Sequence, residues 1–326
     1  MGSNTRSCHE CRGKYMITDR VDNITAISPE YRSVTPPCPK SVKIELTARC
    51  DFKCFFCATS YRLRRRGDMD PNVLFGLLKE MREAGVEEIG MFYLGESFLY
   101  KLLPEAIGFA HDLGYPYIFL TTNGRLATPD RVRACMAARL NSLKFSFNWA
   151  DPDHCKEITR VDAFDTVVEN IRQARRVRDQ VESKTGHRCG LYASSIQYDG
   201  EQQERMERAV ETIKPHVDQH YWLPLYGQDD FTAGARGTEP VAGNVGRLAN
   251  MREPLPCWAL FTEGHVTFDG KLAACCFDHD GRFDMGNLSM TPFMEAWHSQ
   301  PFQDLRAANL KGDVTGTACE TCIAYS

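Results

Sequence analysis

Residues 41–47, SVKIELT, alternate polar and apolar side chains as a half-buried strand does. After a cysteine-bearing loop the period changes. Asp70 as N-cap, Pro71 at the first helical position, Leu74, Leu77, Leu78 and Met81 on one face, and Gly85 as C-cap predict a helix. VEEIGMFYL then reads as a strand, a helix follows near 101–113, and YIFLTTNG is a third strand. DRVRACMAARL predicts a helix and SLKFSFN a strand. VDAFDTVVENIRQARRVRDQVES is a long amphipathic helix carrying Phe164, Val167, Val168, Ile171, Ala174 and Val181 at helical spacing. GLYASSIQY, EQQERMERAVETIKPH and QHYWLPL add a strand, a helix and a strand. Six strands alternating with helices imply a parallel sheet covered by helices. Six units are too few for the closed eight-stranded barrel, so the expectation is an α/β fold, a partial (β/α)6 barrel.

Residues 1–40 show little periodicity and read as an N-terminal extension, with the barrel over 41–235. Residues 227–256 are rich in Gly and Pro and read as a linker into a small C-terminal cysteine-rich α+β module, so that 236–326 form the second unit. VTFDGKLAAC in that module predicts a β-hairpin turning at Asp269-Gly270, with a helix starting at Thr291-Pro292. A net charge of -4 opposes a polyanion partner such as nucleic acid. The sequence has no apolar run of the ~18 residues a membrane span needs and no apolar signal core, so a cytoplasmic protein with no membrane partner is expected.

Fourteen cysteines in 326 residues change the picture. A reducing cytosol disfavours disulfides, so clustered thiols point to metal or redox chemistry. Cys50, Cys54 and Cys57 form C-x3-C-x2-C on the loop after the first strand, the face on which barrel active sites lie. Three thiolates suit a soft metal centre. The spacing differs from the paired C-x2-C of closed zinc sites. It leaves a four-iron cluster with one iron free for a substrate or cofactor. Cys257, Cys275, Cys319 and Cys322 form a second group, and by ligand count alone four thiols suit a four-iron cluster or a structural zinc equally. Cys38, Cys135, Cys155 and Cys189 read as packing thiols. Cys8 and Cys11 are an N-terminal pair, and YRLRRRG at 61–67 is a basic run read chiefly as a solvated face.

The triple-cysteine loop, with Phe56 before its third cysteine, resembles the radical SAM superfamily. That resemblance implies S-adenosylmethionine chelated through its amino and carboxylate groups by the free iron, and a 5′-deoxyadenosyl radical made by one-electron cleavage. Leu94-Gly95-Glu96 resembles the family's Gly-Gly-Glu segment for the methionine amino group, with its first glycine replaced. By the same resemblance Ser146 and Asn148 fall where the ribose is bound, and Arg160 and Ser195 are further cofactor-binding candidates; Thr121–Gly124 ends a strand at the same rim. The C-terminal pattern DG…CC.D…GN, followed by a helix with Trp297 and Phe302, resembles the twitch form of the SPASM extension. This implies one fully ligated auxiliary 4Fe–4S cluster on Cys257, Cys275, Cys319 and Cys322.

The resemblance implies hydrogen-atom abstraction from an unactivated carbon, the cofactor carrying the difficult step. Cys276 has two readings: a packing thiol, or a hydrogen-atom donor that inverts a stereocentre. Relatives with this module act on aminocyclitols, aminoglycosides or ribosomal peptides, so the substrate class rests on analogy. Glu45, Asp229, Asp230, Asp278 and Asp280 are acidic residues suited to a polycationic sugar. The expectation is therefore a small aminosugar- or aminocyclitol-type substrate and a flavodoxin- or ferredoxin-type reductant. Epimerisation stands ahead of dehydrogenation; peptide modification and a non-enzymatic electron carrier are the alternatives.

Overall fold

A computed structural model describes residues 16–57, 59, 65–223, 244–245, 251–252, 255–279, 281 and 283–320. A short helix, α1 (Ile17–Thr25), precedes β1 (Ser41–Ile44), α2 (Pro71–Glu83), β2 (Glu88–Gly90), α3 (Leu103–Asp112), β3 (Tyr117–Thr122) and α4 (Pro129–Ala137). Then come β4 (Ser142–Ser146), α5 (Pro152–Thr159), α6 (Phe164–Thr185), β5 (Gly190–Ile196), α7 (Gly200–Ile213) and β6 (Gln219–Leu223). A two-residue hairpin, β7 (Asn244–Val245) with β8 (Met251–Arg252), leads to β9 (Glu263–Val266), β10 (Leu272–Ala273), α8 (Phe293–Trp297) and α9 (Gln300–Lys311).

β1 to β6 pair in parallel and in chain order, as the alternating pattern predicts. The sheet is nevertheless eight-stranded, because β9 pairs parallel to β1 on its outer edge and β10 returns antiparallel on β9. The C-terminal hairpin thus covers backbone that six strands would leave as an open edge. Its turn is where the sequence places it, with Gly270 at φ 80°.

The apolar face of α2 is buried in the core. On α2, Asp70 Oδ1 accepts the N–H groups of Asn72 (2.8 Å) and Val73 (3.4 Å), a cap worth about 1 kcal/mol. Leu74, Leu77, Leu78 and Met81 are at most 3% exposed, contributing roughly 1.5–3 kcal/mol each. The helix ends at Glu83 with Ala84 as C-cap, and Gly85 follows at φ 103°.

Two elements depart from the sequence expectation. The extension holds α1, whose periodicity is only three apolar residues, Ile17, Val21 and Ile24, in an otherwise polar stretch. Thr18 exchanges hydrogen bonds with the Gln219 side chain of β6, and Arg20 pairs with Glu88 of β2 while stacking 3.2 Å over the Tyr117 ring of β3. It therefore lies across the N-terminal ends of the strands and floors a cavity of about 150 Å³ lined by Lys43, Glu88, Thr121, Lys144 and Glu263. α5 is the second element outside the predicted pattern, although Asp151-Pro152 is a legible helix start: Asp151 Oδ1 accepts the His154 N–H at 2.9 Å. The expected boundary at 235/236, the pairs Cys8–Cys11 and Asp229–Asp230, most of the basic run at 61–67, Asp280 and Cys322 lie outside the described residues.

Candidate functional site

The chain leaving β1 carries Cys50, Cys54 and Cys57 across the C-terminal end of the sheet. Its backbone is locked from two sides. Lys53 N–H donates to Thr159 O at 2.9 Å and Phe55 N–H to Ile158 O at 3.3 Å, both at the end of α5. Glu96 N–H donates to Arg49 O at 2.9 Å from the loop after β2. Arg160, exposed, caps α5 in a left-handed conformation (φ 65°), an uncommon backbone state for a side-chain-bearing residue and of the kind that gathers at functional sites.

Gly95 has a spatial explanation. A Cβ there would stand 1.9 Å from Thr47 O and 2.8 Å from Arg49 O, so the β2 loop touches the chain that feeds the cysteines. Glu96 is 2% exposed, and the protein's own donors occupy both its oxygens. Oε1 accepts from Phe98 N–H (3.1 Å) and Thr122 Oγ1 (2.9 Å), and Oε2 accepts from Asn123 N–H (2.8 Å). Burial, outweighing these donors, raises its carboxyl to about 7. Asn123 also donates to Asp51 Oδ1 at 2.8 Å and reaches Cys50 Sγ at 3.9 Å, while Arg125 pairs with Asp51 at 2.9 Å. The TTNG rim thus braces the cysteine loop.

Phe56 packs edge-on against Phe55 with centroids 5.3 Å apart. Cys57 Sγ donates to Thr59 Oγ1 at 3.2 Å, which donates to Leu94 O at 3.1 Å. Ser146 ends β4 half-buried, in register with Ser194. Asn148 Oδ1 accepts the Ile196 N–H at 3.1 Å, and its carbonyl accepts the Tyr198 hydroxyl at 2.9 Å, joining the β4 and β5 exits. Ser195 is 0% exposed; its Oγ donates to Phe147 O and lies 2.9 Å from His220 Nε2. That hydroxyl is committed to the interior of the sheet.

The second thiol group lies on the same side. The Tyr93 hydroxyl, two residues before Gly95, donates to the carbonyls of Cys275 (3.2 Å) and Cys276 (3.3 Å). Phe277 N–H donates to Cys275 Sγ at 3.4 Å. Asn309 joins Cys257, whose N–H it accepts at 3.1 Å, to Cys319 Sγ at 3.8 Å. Cys276 is half-buried beside Cys275. His265 of β9 is 1% exposed, with its ring 5.2 Å from that of Tyr93, Nε2 3.7 Å from Glu263 Oε2, and, among the described residues, no hydrogen-bond partner on either ring nitrogen.

The expected acidic pocket is not assembled by the two described acids. Glu45 and Asp278 are 0% exposed, and each accepts a backbone N–H of the C-terminal hairpin region, Phe268 at 3.0 Å and Ala274 at 2.9 Å. They hold β9 and β10 in place. Sequence reasoning missed Asp51, Tyr93, Arg125 and Asn309, which are not the signature residues of any motif, although Asp51 lies inside the C-x3-C-x2-C loop and Tyr93 just before Leu94-Gly95-Glu96; their contribution is visible only through contacts between distant segments.

Comparison with known proteins accords with the fold and these loops. Residues 44–187 match the radical SAM superfamily, and residues 257–323 match SPASM, an iron–sulfur cluster-binding domain. Over 141 residues the chain is 32% identical to a probable GTP 3′,8-cyclase of Saccharolobus solfataricus, covering 41% of this chain and 43% of that protein. A probable GTP 3′,8-cyclase of Sulfolobus acidocaldarius is 31% identical over 146 residues, covering 42% and 44%. The chain thus spans under half the length of these curated relatives. Two solved structures share the fold across most of the chain. BtrN in complex with AdoMet and 2-DOIA has a TM-score of 0.53 at 16% identity, covering 84% of this chain and 87% of that one. Streptococcus suis SuiB bound to precursor peptide SuiA has a TM-score of 0.65 at 15% identity, covering 89% and 71%.

Fold and matches define an α/β protein of the radical SAM type. The chain carries a radical SAM domain over residues 44–187, followed by an iron–sulfur cluster-binding SPASM domain over residues 257–323. These domains imply S-adenosylmethionine with a 4Fe–4S cluster, and auxiliary iron–sulfur ligation. Among the described residues no three His, Cys, Asp or Glu side chains are grouped to hold a single ion. The donor chemistry nevertheless fits iron–sulfur groups. Burial raises the Cys50 thiol to about 12 and the Cys54 and Cys275 thiols well above the usual range, so a bound cationic centre is what would hold them as thiolates. In addition, N–H donors of Asn123, Phe277 and Asn309 already point at sulfur. No helix among the described residues is long and apolar enough to cross a membrane.

Proposed function

We propose that this enzyme epimerises a carbon of a small aminosugar- or aminocyclitol-type substrate. In this reading Cys50, Cys54 and Cys57 hold the S-adenosylmethionine-binding cluster, and Cys257, Cys275, Cys319 and Cys322 hold one auxiliary cluster. S-Adenosylmethionine, when bound there with the reduced cluster, would supply the radical chemistry for hydrogen-atom abstraction from the substrate carbon. Phe56, Gly95, Ser146, Asn148 and Arg160 surround the cofactor. Glu96 and Ser195, whose polar atoms bind the protein itself, support that shell from behind. The Cys276 thiol gives its hydrogen to the substrate radical from the opposite face. The thiyl left behind returns to the thiol on gaining one electron and one proton, the electron coming from a flavodoxin- or ferredoxin-type reductant.

The observation that carries this reading is Cys276 itself, a half-buried thiol beside Cys275, with both carbonyls tied to Tyr93 at the rim of the first cysteine loop. A second reading is dehydrogenation of an alcohol to a ketone, in which the auxiliary cluster would take the electron of the substrate radical and a base its proton. BtrN, solved with 2-DOIA, shares the fold, and SuiB with its precursor peptide makes a peptide the third possibility for the test.

Anaerobically reconstituted protein is incubated with dithionite, S-adenosylmethionine and candidate aminoglycosides in deuterium oxide, and products are read by mass spectrometry. One deuterium gained, with no other mass change and no product from Cys276→Ala, is the expected result. Loss of two mass units would replace epimerisation by dehydrogenation. Cofactor cleavage with every sugar unchanged would move the substrate class to peptides.

A further inference from the structure

We propose that Asn309 is a positioning residue for the second cysteine site, and that its amide N–H raises the reduction potential of the cluster held there. The inference rests on the assignment of Cys257, Cys275 and Cys319 as ligands. Asn309 sits on α9, 1% exposed. Its Oδ1 accepts the Cys257 N–H at 3.1 Å, and its Nδ2 donates to Leu305 O at 3.0 Å and to Cys319 Sγ at 3.8 Å. The orientation of the amide is chemically fixed. A backbone N–H can be met only by its oxygen and a backbone carbonyl only by its NH2, so the NH2 must face the sulfur. One side chain thereby clamps two cysteines that stand 62 positions apart, and Leu305 fixes it against rotation.

Hydrogen bonds to cluster sulfurs and neighbouring groups of this kind set the potential and orient the ligands. The reduced cluster is the more negative state, so a donor on its thiolate stabilises it more than the oxidised state. Removing the donor must lower the potential. At Cys275 the donor at 3.4 Å is the Phe277 backbone N–H, whereas at Cys319 it is the Asn309 side chain, which substitution can remove.

The test uses the full chain with Cys50, Cys54 and Cys57 all changed to Ala, so that only the second cluster is reconstituted. Asn309→Asp keeps the acceptor for Cys257 and loses the donor to Cys319; Asn309→Ser is too short to reach either. Iron and sulfide content, melting temperature and a potentiometric EPR titration are recorded for each. The expected result is a loaded Asn309→Asp protein whose reduction equilibrium falls at least tenfold, 59 mV for a one-electron couple, and an Asn309→Ser protein shifted in the same direction. Loaded variants within twofold of the parent overturn the inference alone. Variants that lose iron while the clusters that remain keep the parent potential show a merely structural clamp and also overturn it. A triple-alanine parent that binds no iron overturns the ligand assignment, and the inference with it.

Discussion

Gly95→Ala tests whether the approach of the β2 loop to the cysteine-bearing chain is as tight as the structure shows. The added methyl would lie 1.9 Å from Thr47 O and 2.8 Å from Arg49 O, both backbone atoms. Neither can retreat cheaply. Arg49 O is held by Glu96 N–H at 2.9 Å, Arg49 N–H by Thr47 Oγ1 at 3.1 Å, and Ala48 N–H by Gly67 O at 2.8 Å. Overpacking typically costs 1–3 kcal/mol, and rigid backbone on both sides puts this case near ~3 kcal/mol. A melting entropy of ~2.1 cal/mol/K per residue over 326 residues gives about 0.7 kcal/mol/K, hence a melting point lowered by about 4 °C. Because the displaced atoms lead into Cys50, iron uptake by the first cysteine loop should fall with it. Gly76→Ala is the control: it lies mid-helix in α2 with nothing among the described residues within 4 Å of its Cβ position, and should gain about 0.5–1 kcal/mol. Scanning calorimetry and iron analysis on both variants decide. A Gly95→Ala protein melting within 1 °C of wild type with full iron content would refute the reasoning.

Further expectations rest on other parts of the sheet. Asp218→Asn weakens the pairing of Arg178, which is 0% exposed and 3.0 Å from Asp218, and of Arg188, also at 3.0 Å; since Arg178 keeps Asp179 at 2.7 Å and Arg188 keeps Glu182 at 2.8 Å, the cost is that of weakened charge-assisted hydrogen bonds, about 1.5–3 kcal/mol, read as a lower urea midpoint with unchanged slope. Burial holds His220 down to about 4, so between about 4 and 6.5 the unfolded chain binds more protons than the folded one, and stability is lost as pH falls through that window. Discounted for the partial exposure of the ring, the loss is on the order of 1–2 kcal/mol; His220→Gln, which keeps a donor for Ser195, should flatten the melting profile there, and an unchanged profile would sink the assignment. Replacing Cys50, Cys54 and Cys57 by alanine should abolish S-adenosylmethionine cleavage while leaving the iron of the second site, measured by elemental analysis; cleavage that survives would remove those thiols from the chemistry.

The six-unit barrel was legible because each strand and helix carries its own period and its own punctuation. Asp70-Pro71, Gly85 and Asp269-Gly270 each mark a boundary where the backbone has one. The partnership of β9 with β1 was not legible: it joins residues more than 200 positions apart, and a four-residue strand does not announce its neighbour. The same holds within the site. C-x3-C-x2-C and the terminal thiols are local signals. The duties of Glu96 and Ser195 depend on what the fold brings to their oxygens, here Asn123 and His220, and no spacing encodes that. The acidic residues misled for a related reason. Carboxylates in a sequence look available, yet Glu45 and Asp278 are consumed by backbone N–H groups that would otherwise be buried unsatisfied.

These internal bonds explain how two cysteine segments from opposite ends of the chain come to one side of the sheet. β9 extends the sheet beside β1, so the hairpin leading to Cys275 leaves from the strand next to the one leading to Cys50. Glu45, following β1, binds Phe268 N–H and fixes the hairpin's height, while Tyr93, following β2, binds the carbonyls of Cys275 and Cys276 and fixes its end. From behind, the buried Arg306 of α9 donates to Leu260 O, Val34 O and Trp297 O at 2.7–3.1 Å and stacks 4.3 Å from the Trp297 ring, tying the C-terminal helices to the segment before β1. A single-residue shift of β9 against β1 would turn Glu263 and His265 to the opposite face of the sheet. It would also break the Lys43–Glu263 pair at 2.6 Å, so the register is specified by charge as well as by packing. The two thiol sites are thus placed by one continuous sheet rather than by a docking contact between separate bodies. Their separation is accordingly a property of strand register, as fixed as the barrel itself.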